Sequence, residues 1–269
     1  MKIRLTVLRL AVTLAGGVAL VKGQTAAAIP EGKGSATAAG KFVPAVKEEK
    51  GKPVKPEEAE KQLRTALKVE ELGAGKYQIG KVKFDAGART VSVPAKVNMR
   101  GGVIEYVLTT EAGKAHEAML TTTASPRDVH LACLLLGMKA AAVTGEVHAA
   151  MTVPAAESVR IAVSWETNGP AKMVPLASLL QVAEGGPDGP KSAQADGAWH
   201  YTGSVFSRAG QFAAEAEGSF ISLIRDPAAL LNNPDKTRDD DGLHVPNTAA
   251  LPAAGTAVTV IFQLPAVKP

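Results

Sequence analysis

Residues 101–137 read GGVIEYVLTTEAGKAHEAMLTTTASPRDVHLACLLLG, and apolar patterning, turn chemistry and helix punctuation all meet in this stretch. Two apolar runs, Val103 to Thr109 and Ala115 to Thr122, flank Glu111-Ala112-Gly113, a short glycine-containing connection of the kind that closes β-hairpins. With Thr110 facing Lys114, antiparallel pairing sets Leu108 opposite His116, Tyr106 opposite Ala118 and Ile104 opposite Leu120, an apolar face. The other face pairs Val107 with Glu117 and Glu105 with Met119, which leaves the two carboxylates diagonal to each other, roughly 7–8 Å apart.

A helix follows. Ser125 offers a capping hydroxyl, Pro126 suits the first turn, Asp128 stands in the capping-box position and Gly137 supplies the stop. Between them Val129, Leu131, Ala132, Cys133, Leu134, Leu135 and Leu136 leave almost no polar stripe, so the sequence predicts a helix covered on most sides.

The chain has 269 residues. Residues 1–28 have the form of a secretory signal: Lys2, Arg4 and Arg9, then an apolar run from Leu10 to Val21, then the small-residue site Ala26-Ala27-Ala28. The apolar run is short for a bilayer span and is broken by Gly16-Gly17. Removing residues 1–28 takes away four of the 30 Lys and Arg and brings the formal net charge from +4 to about 0. Residues 29–68 then hold nine Lys/Arg against six Glu, and residues 69–269 hold 17 against 20 acids. A nucleic-acid footprint needs a basic folded domain and stacking aromatics, and aromatic residues make up only 4%. The single cysteine, Cys133, excludes an internal disulfide framework, a Cys-ligated zinc site and an iron–sulfur cluster.

Residues 29–56 are Ala, Gly, Lys, Glu and Pro with almost no large apolar side chain, the composition of a disordered tether. A single domain, residues 57–269, is expected beyond it, opening with a short helix that carries Ala59, Leu63, Ala66 and Leu67 on one stripe and is ended by Gly73. Tyr77 to Phe84 and Arg89 to Asn98 read as strands turned at Asp85-Ala86-Gly87, with Pro94 marking an edge or a bulge. Thr144 to Pro154 is an irregular connection. Ser158 to Trp165 alternates with Val159, Ile161, Val163 and Trp165 on one face, Pro175 to Leu180 suits a short helix, and Gly185 to Gly197 is a loop by composition. Trp199 to Phe206 and Gln211 to Ile224 form a further strand pair, Asp226-Pro227 starts a helix, and Ala257 to Leu264 is continuous enough to be a central strand. The expected fold is α+β: mainly antiparallel strands arriving as hairpins, a buried central helix, and two or three short helices.

Six segments in this order, EYVLTTEAGKAHEAML, SPRDVHLACLLLG, WHYTGSVF, DPAALLNNP, DDDGLHVPN and LPAAGTAVTV, resemble the YdjY-type domain of exported bacterial proteins over nearly everything after Leu67. The resemblance implies domain limits and export, but no reaction, because the family has no established biochemical activity. Some relatives are described as ferredoxin-like, and one cysteine cannot carry that property over.

Lys114, His116 and Glu117, with Glu105 nearby, are the candidate binding residues. A metalloprotease reading of His116-Glu117 needs a second His at position 120, which is Leu120. Asp239, Asp241 and His244 lie in a stretch dense in oxygen ligands and are weak candidates for calcium, though the spacing is not that of an EF-hand. Gly73, Gly75 and Gly80 fit neither a dinucleotide fingerprint nor a P-loop, and no G-x-S-x-G motif occurs. The leading expectation is therefore a non-enzymatic, exported binding module in the periplasm or outside the cell, contacting an envelope protein or other envelope component. It carries no stable membrane span after signal cleavage, no nucleic-acid partner and no cofactor beyond weak calcium. The alternatives are a hydrolase or metal-dependent enzyme using Glu105, His116 and Glu117, and a calcium-stabilised structural module.

Overall fold

Strand β4 (Thr90–Val97) organises the architecture, because its two edges meet three neighbours. Along one edge it pairs over its whole length with β15 (Ala257–Gln263). Along the other it pairs first with β3 (Val82–Asp85) and then, from Lys96 onward, with β6 (Ala118–Thr122). Pro94 sits where the neighbour changes. Its carbonyl accepts the Thr122 hydroxyl, so its donor-less nitrogen faces the same gap, where no ladder bond is required.

That switch closes the sheet. From β4 the order runs through β15, β7 (Ser158–Trp165), β11 (Trp199–Tyr201), β13 (Leu231–Asn232), β12 (Ser219–Ser222), β5 (Tyr106–Thr110) and β6, which returns to β4. The result is an eight-stranded closed barrel, and the described residues are mostly β, 39% strand and 15% helical. The α+β expectation with a central helix is thereby overturned. The structure is a computed structural model that describes residues 68–140, 157–186, 188–207 and 209–266. The expected signal and tether, the first part of the expected short helix, and the Thr144 to Pro154 connection lie outside the described residues; the last residues of that helix, Glu70–Gly73, form a strand instead.

Period-two alternation builds the interior. Val91 and Val93 of β4, Val258, Val260 and Phe262 of β15, and Val159, Ile161, Val163 and Trp165 of β7 share one face through the registers Val260↔Val93, Phe262↔Val91 and Val260↔Val163. The same parity continues through Trp199, Tyr201, Leu231, Ile221, Leu108, Leu120 and Val97, which belong with them to one buried cluster. Outside the ring, β1 (Glu70–Gly73) and β2 (Lys76–Ile79) extend the sheet beyond β3 as a meander, and β8 (Lys172–Pro175) pairs with β7. A separate three-stranded sheet is formed by β10 (Lys191–Ala193), β9 (Leu180–Ala183) and β14 (His244–Pro246).

The expected hairpin between β5 and β6 is instead a parallel pair, with registers Tyr106↔Ala118 and Leu108↔Leu120. The chain leaves β5, doubles back through a 3-10 turn at Ala115–Glu117 and re-enters alongside. Parallel neighbours normally need a crossover of about a dozen residues or more. This shorter one is held by long-range contacts: Asn98 Nδ2 donates to the Ala115 and Ala118 carbonyls at 2.6 and 2.8 Å. Gly113 lies so close to the backbone at Glu217 that a Cβ there would meet the Glu217 carbonyl at 2.7 Å. Gly218, at φ +71°, is pressed onto the Thr110 side chain from the other side.

Helix α1 (Pro126–Leu135) is present and largely buried, packed against β3 and β4. It ends as a Schellman motif at Gly137, whose N–H donates to Leu134 while the Met138 N–H reaches Cys133. Its start differs from the expectation. Ser125 makes no side-chain cap; its hydroxyl donates to Glu215 Oε2 at 2.6 Å, and the same oxygen accepts the Arg127 N–H at 3.1 Å. Glu215 belongs to a short helix, Ala213–Glu217, so the cap is borrowed from a distant element. Glu215→Ala is expected to cost about 1 kcal/mol, the usual worth of a lost cap, read as a lower urea midpoint. Glu215→Gln, which keeps an acceptor, should recover most of it.

Three further expectations fail locally. Trp199 to Phe206 and Gln211 to Ile224 share an isolated bridge, Phe206↔Phe212, rather than forming a strand pair, and the second segment contains the helix Ala213–Glu217. Tyr77 to Phe84 is not one strand but the β2–β3 hairpin, folded at Gly80. Asp226-Pro227 starts no helix; Asp226 Oδ1 accepts the Ala228 N–H in a turn that leads into β13.

Candidate functional site

The crossover between β5 and β6 carries Lys114 inward. Its Nζ donates to the Tyr106 hydroxyl at 2.6 Å and lies 3.2 Å from Glu217 Oε2, 3.6 Å from Asp226 Oδ2 and 4.7 Å from the Tyr106 ring centre. The Tyr106 hydroxyl in turn donates to Asp226 Oδ2 at 3.0 Å. Asp226 is 4% exposed and the Lys114 side chain 15%, so this is a nearly dry ion cluster. Burial, with the Asp226 carboxylate beside it, pushes the Tyr106 hydroxyl far above its ordinary range, which keeps its proton on and makes it a fixed donor. Sequence reading found Lys114 but not Tyr106, Asp226 or Glu217. The Tyr106 to Asp226 bond spans 120 positions, and no local pattern announces it.

The other sequence candidates form the rim around this cluster. The Glu105 N–H bonds the Glu117 carbonyl, and burial, then Glu117, then Asp241 raise the Glu105 carboxyl above its usual value, with Lys114 and His116 pulling the other way. Glu105, Glu117, Lys114 and His116 therefore share one electrostatic neighbourhood, joined by Asp241. His116, set opposite Leu108 in the expected hairpin, stands on the 3-10 turn with its side chain 80% exposed, 3.8 Å from the Glu117 carboxylate.

The candidate calcium ligands are not brought together. Asp239 is engaged by Arg225, which holds its carboxyl below the usual range. His244 is buried in β14 with Nε2 3.2 Å from the Thr237 hydroxyl. Among the described residues no three His, Cys, Asp or Glu side chains are grouped to hold a metal ion.

Other residues capable of acid, base or nucleophilic chemistry have structural partners. His130 of α1 meets the Tyr201 hydroxyl at 2.8 Å beside the Phe212 ring. His200 Nε2 lies 2.8 Å from Glu157 Oε2. Burial pushes the Cys133 thiol up to about 12. A cavity of about 350 Å³ opens between the loop leading into β11 and the loop leaving β13, two strands that pair, and Gln194, Trp199, Asn233, Asp235 and Lys236 help to line it.

Among the described residues no helix is long and apolar enough to cross a membrane. No curated protein and no solved structure matches the chain. A profile of the YdjY domain matches residues 82–263, from the first residue of β3 to the last of β15. With the barrel and its β3 extension inside that match, the chain belongs to the YdjY domain family.

Proposed function

We propose that this domain is exported and serves in the cell envelope as a non-enzymatic binding module. Its contact surface is the acidic rim formed by Glu105, Glu117 and Asp241 beside the exposed His116, and its partner is a cationic segment of an envelope protein. The observation that carries the reading is the division of labour at the β5–β6 crossover. The amine of the crossover, Lys114, is engaged internally by Tyr106, Asp226 and Glu217, while the half-buried Glu105 and Glu117 stand at the rim with the exposed Asp241 and His116. An imidazole that is 80% exposed also has little of the desolvated setting that tunes a catalytic acid or base. Export rests on the basic, apolar and small-residue series in residues 1–28.

The test is affinity capture from an envelope fraction, comparing the wild type with Glu105→Gln/Glu117→Gln. A partner retained by the wild type, lost with the double variant and released by salt supports the reading. Equal retention by both proteins overturns the rim as the contact surface, and recovery of the full-length chain in the cytoplasm overturns export.

A further inference from the structure

The cavity between the β11 and β13 loops is separate from the acidic rim and carries its own chemistry. Three features of its walls point in one direction. Asp235 and Lys236 stand side by side with opposite charge. Asp235 spends Oδ1 on the Thr237 N–H, and the exposed Lys236 ammonium makes no ion pair among the described residues. Gln194 is only 7% exposed, yet its Oε1 is buried with no hydrogen-bond partner. A buried amide oxygen left in this state is uncommon, and it belongs to a residue of the cavity wall. The remaining lining includes Ala195, Ala198, Trp199 and Pro234, which offer hydrocarbon.

A simple anion would be repelled by Asp235, and a simple cation by Lys236. A neutral sugar would form an ion pair with neither charge. The volume, about 350 Å³, is at the small end for ligand sites. We propose that this cavity binds a small zwitterion, an α-amino acid or short peptide with free ends, its carboxylate on Lys236, its ammonium on Asp235 and an apolar side chain against Ala198, Trp199 and Pro234.

The test is titration of the purified full-length protein with L-leucine, L-phenylalanine and the dipeptide Ala-Leu, followed by calorimetry and by the melting temperature. N-acetyl-leucine amide, which lacks both charges, and methyl glucoside serve as controls. Saturable binding of at least one zwitterion is expected, with no binding of either control. Lys236→Ala and Asp235→Asn should each weaken it by about tenfold or more. Asn keeps an oxygen for the Thr237 N–H, so Asp235→Asn reports the lost charge rather than a lost turn. Three results would overturn the assignment: no zwitterion bound at millimolar concentration, equal binding of the uncharged amide, or affinity unchanged in both variants. Binding of the dipeptide but of neither free amino acid would retain the site and identify its ligand as a peptide end.

Discussion

Lys114→Ala is expected to destabilise the domain by about 3–5 kcal/mol, the range found when one member of a buried ion pair is removed and the other is left behind. Asp226 has nowhere to send its charge: it is 4% exposed, and its Oδ2 faces Tyr106 and Lys114. Glu217 loses the same partner. The loss should exceed what the missing side-chain contacts alone would give, and a second variant separates the two. Lys114→Met/Asp226→Asn removes both charges while keeping most of the volume, and should be less damaging than Lys114→Ala alone. Urea unfolding of Lys114→Met, Asp226→Asn and the double variant gives the coupling energy directly. If the double variant loses as much as the sum of the singles, the cluster is not a coupled pair and the estimate fails.

Acidification should cost the fold about 3–4 kcal/mol at His244, whose imidazole is lowered from 6.5 to about 4. Burial lowers this imidazole from 6.5 to about 4, partly opposed by Asp235 and Asp240. Its Nδ1 has no hydrogen-bond partner, so there is no acceptor ready for a second ring proton. Between those two pH values the unfolded chain takes up a proton that the folded chain refuses. The stabilisation is therefore fully present above about pH 6.5 and disappears as the pH falls to about 4.

Glu105 and Asp128 work in the opposite direction. Burial raises both carboxyls, so the folded state gains from their protonation as the pH drops. The comparison must therefore be between proteins, not between pH values alone. His244→Gln should flatten the slope of stability against pH in urea titrations from pH 7 to pH 4. Parallel slopes in the two proteins would remove His244 as the cause.

How much of this was legible beforehand depends on how far apart the deciding residues lie. β7 is predicted from alternation at Ser158 to Trp165, and the structure has the same bounds. β15 was legible as a central strand, and α1 from Pro126 to its stop at Gly137. The barrel was not. Its closing strands include β13 with two residues and β11 with three, too short for any period to register.

The β5–β6 pair shows the limit most clearly. Tyr106 faces Ala118 in the expected antiparallel hairpin and also in the observed parallel pair. Local pattern cannot separate the two directions. What separates them is remote: the Asn98 amide that fastens the turn, the Gly113 and Gly218 backbones in close approach, and the Lys114 ammonium that must reach Asp226. The same distance hid the site. Glu105, Lys114, His116 and Glu117 are close in sequence and could be nominated together, whereas Tyr106, Glu217 and Asp226 gain meaning only once the sheet has curled.

The position of β15 also bears on biosynthesis. Residues 257–263 stand between β4 and β7, which are made long before them. A nascent chain therefore carries two unsatisfied strand edges until that segment has emerged from the ribosome. A chain cut short before Ala257 would leave β4 and β7 each with an exposed ladder, a template for self-association.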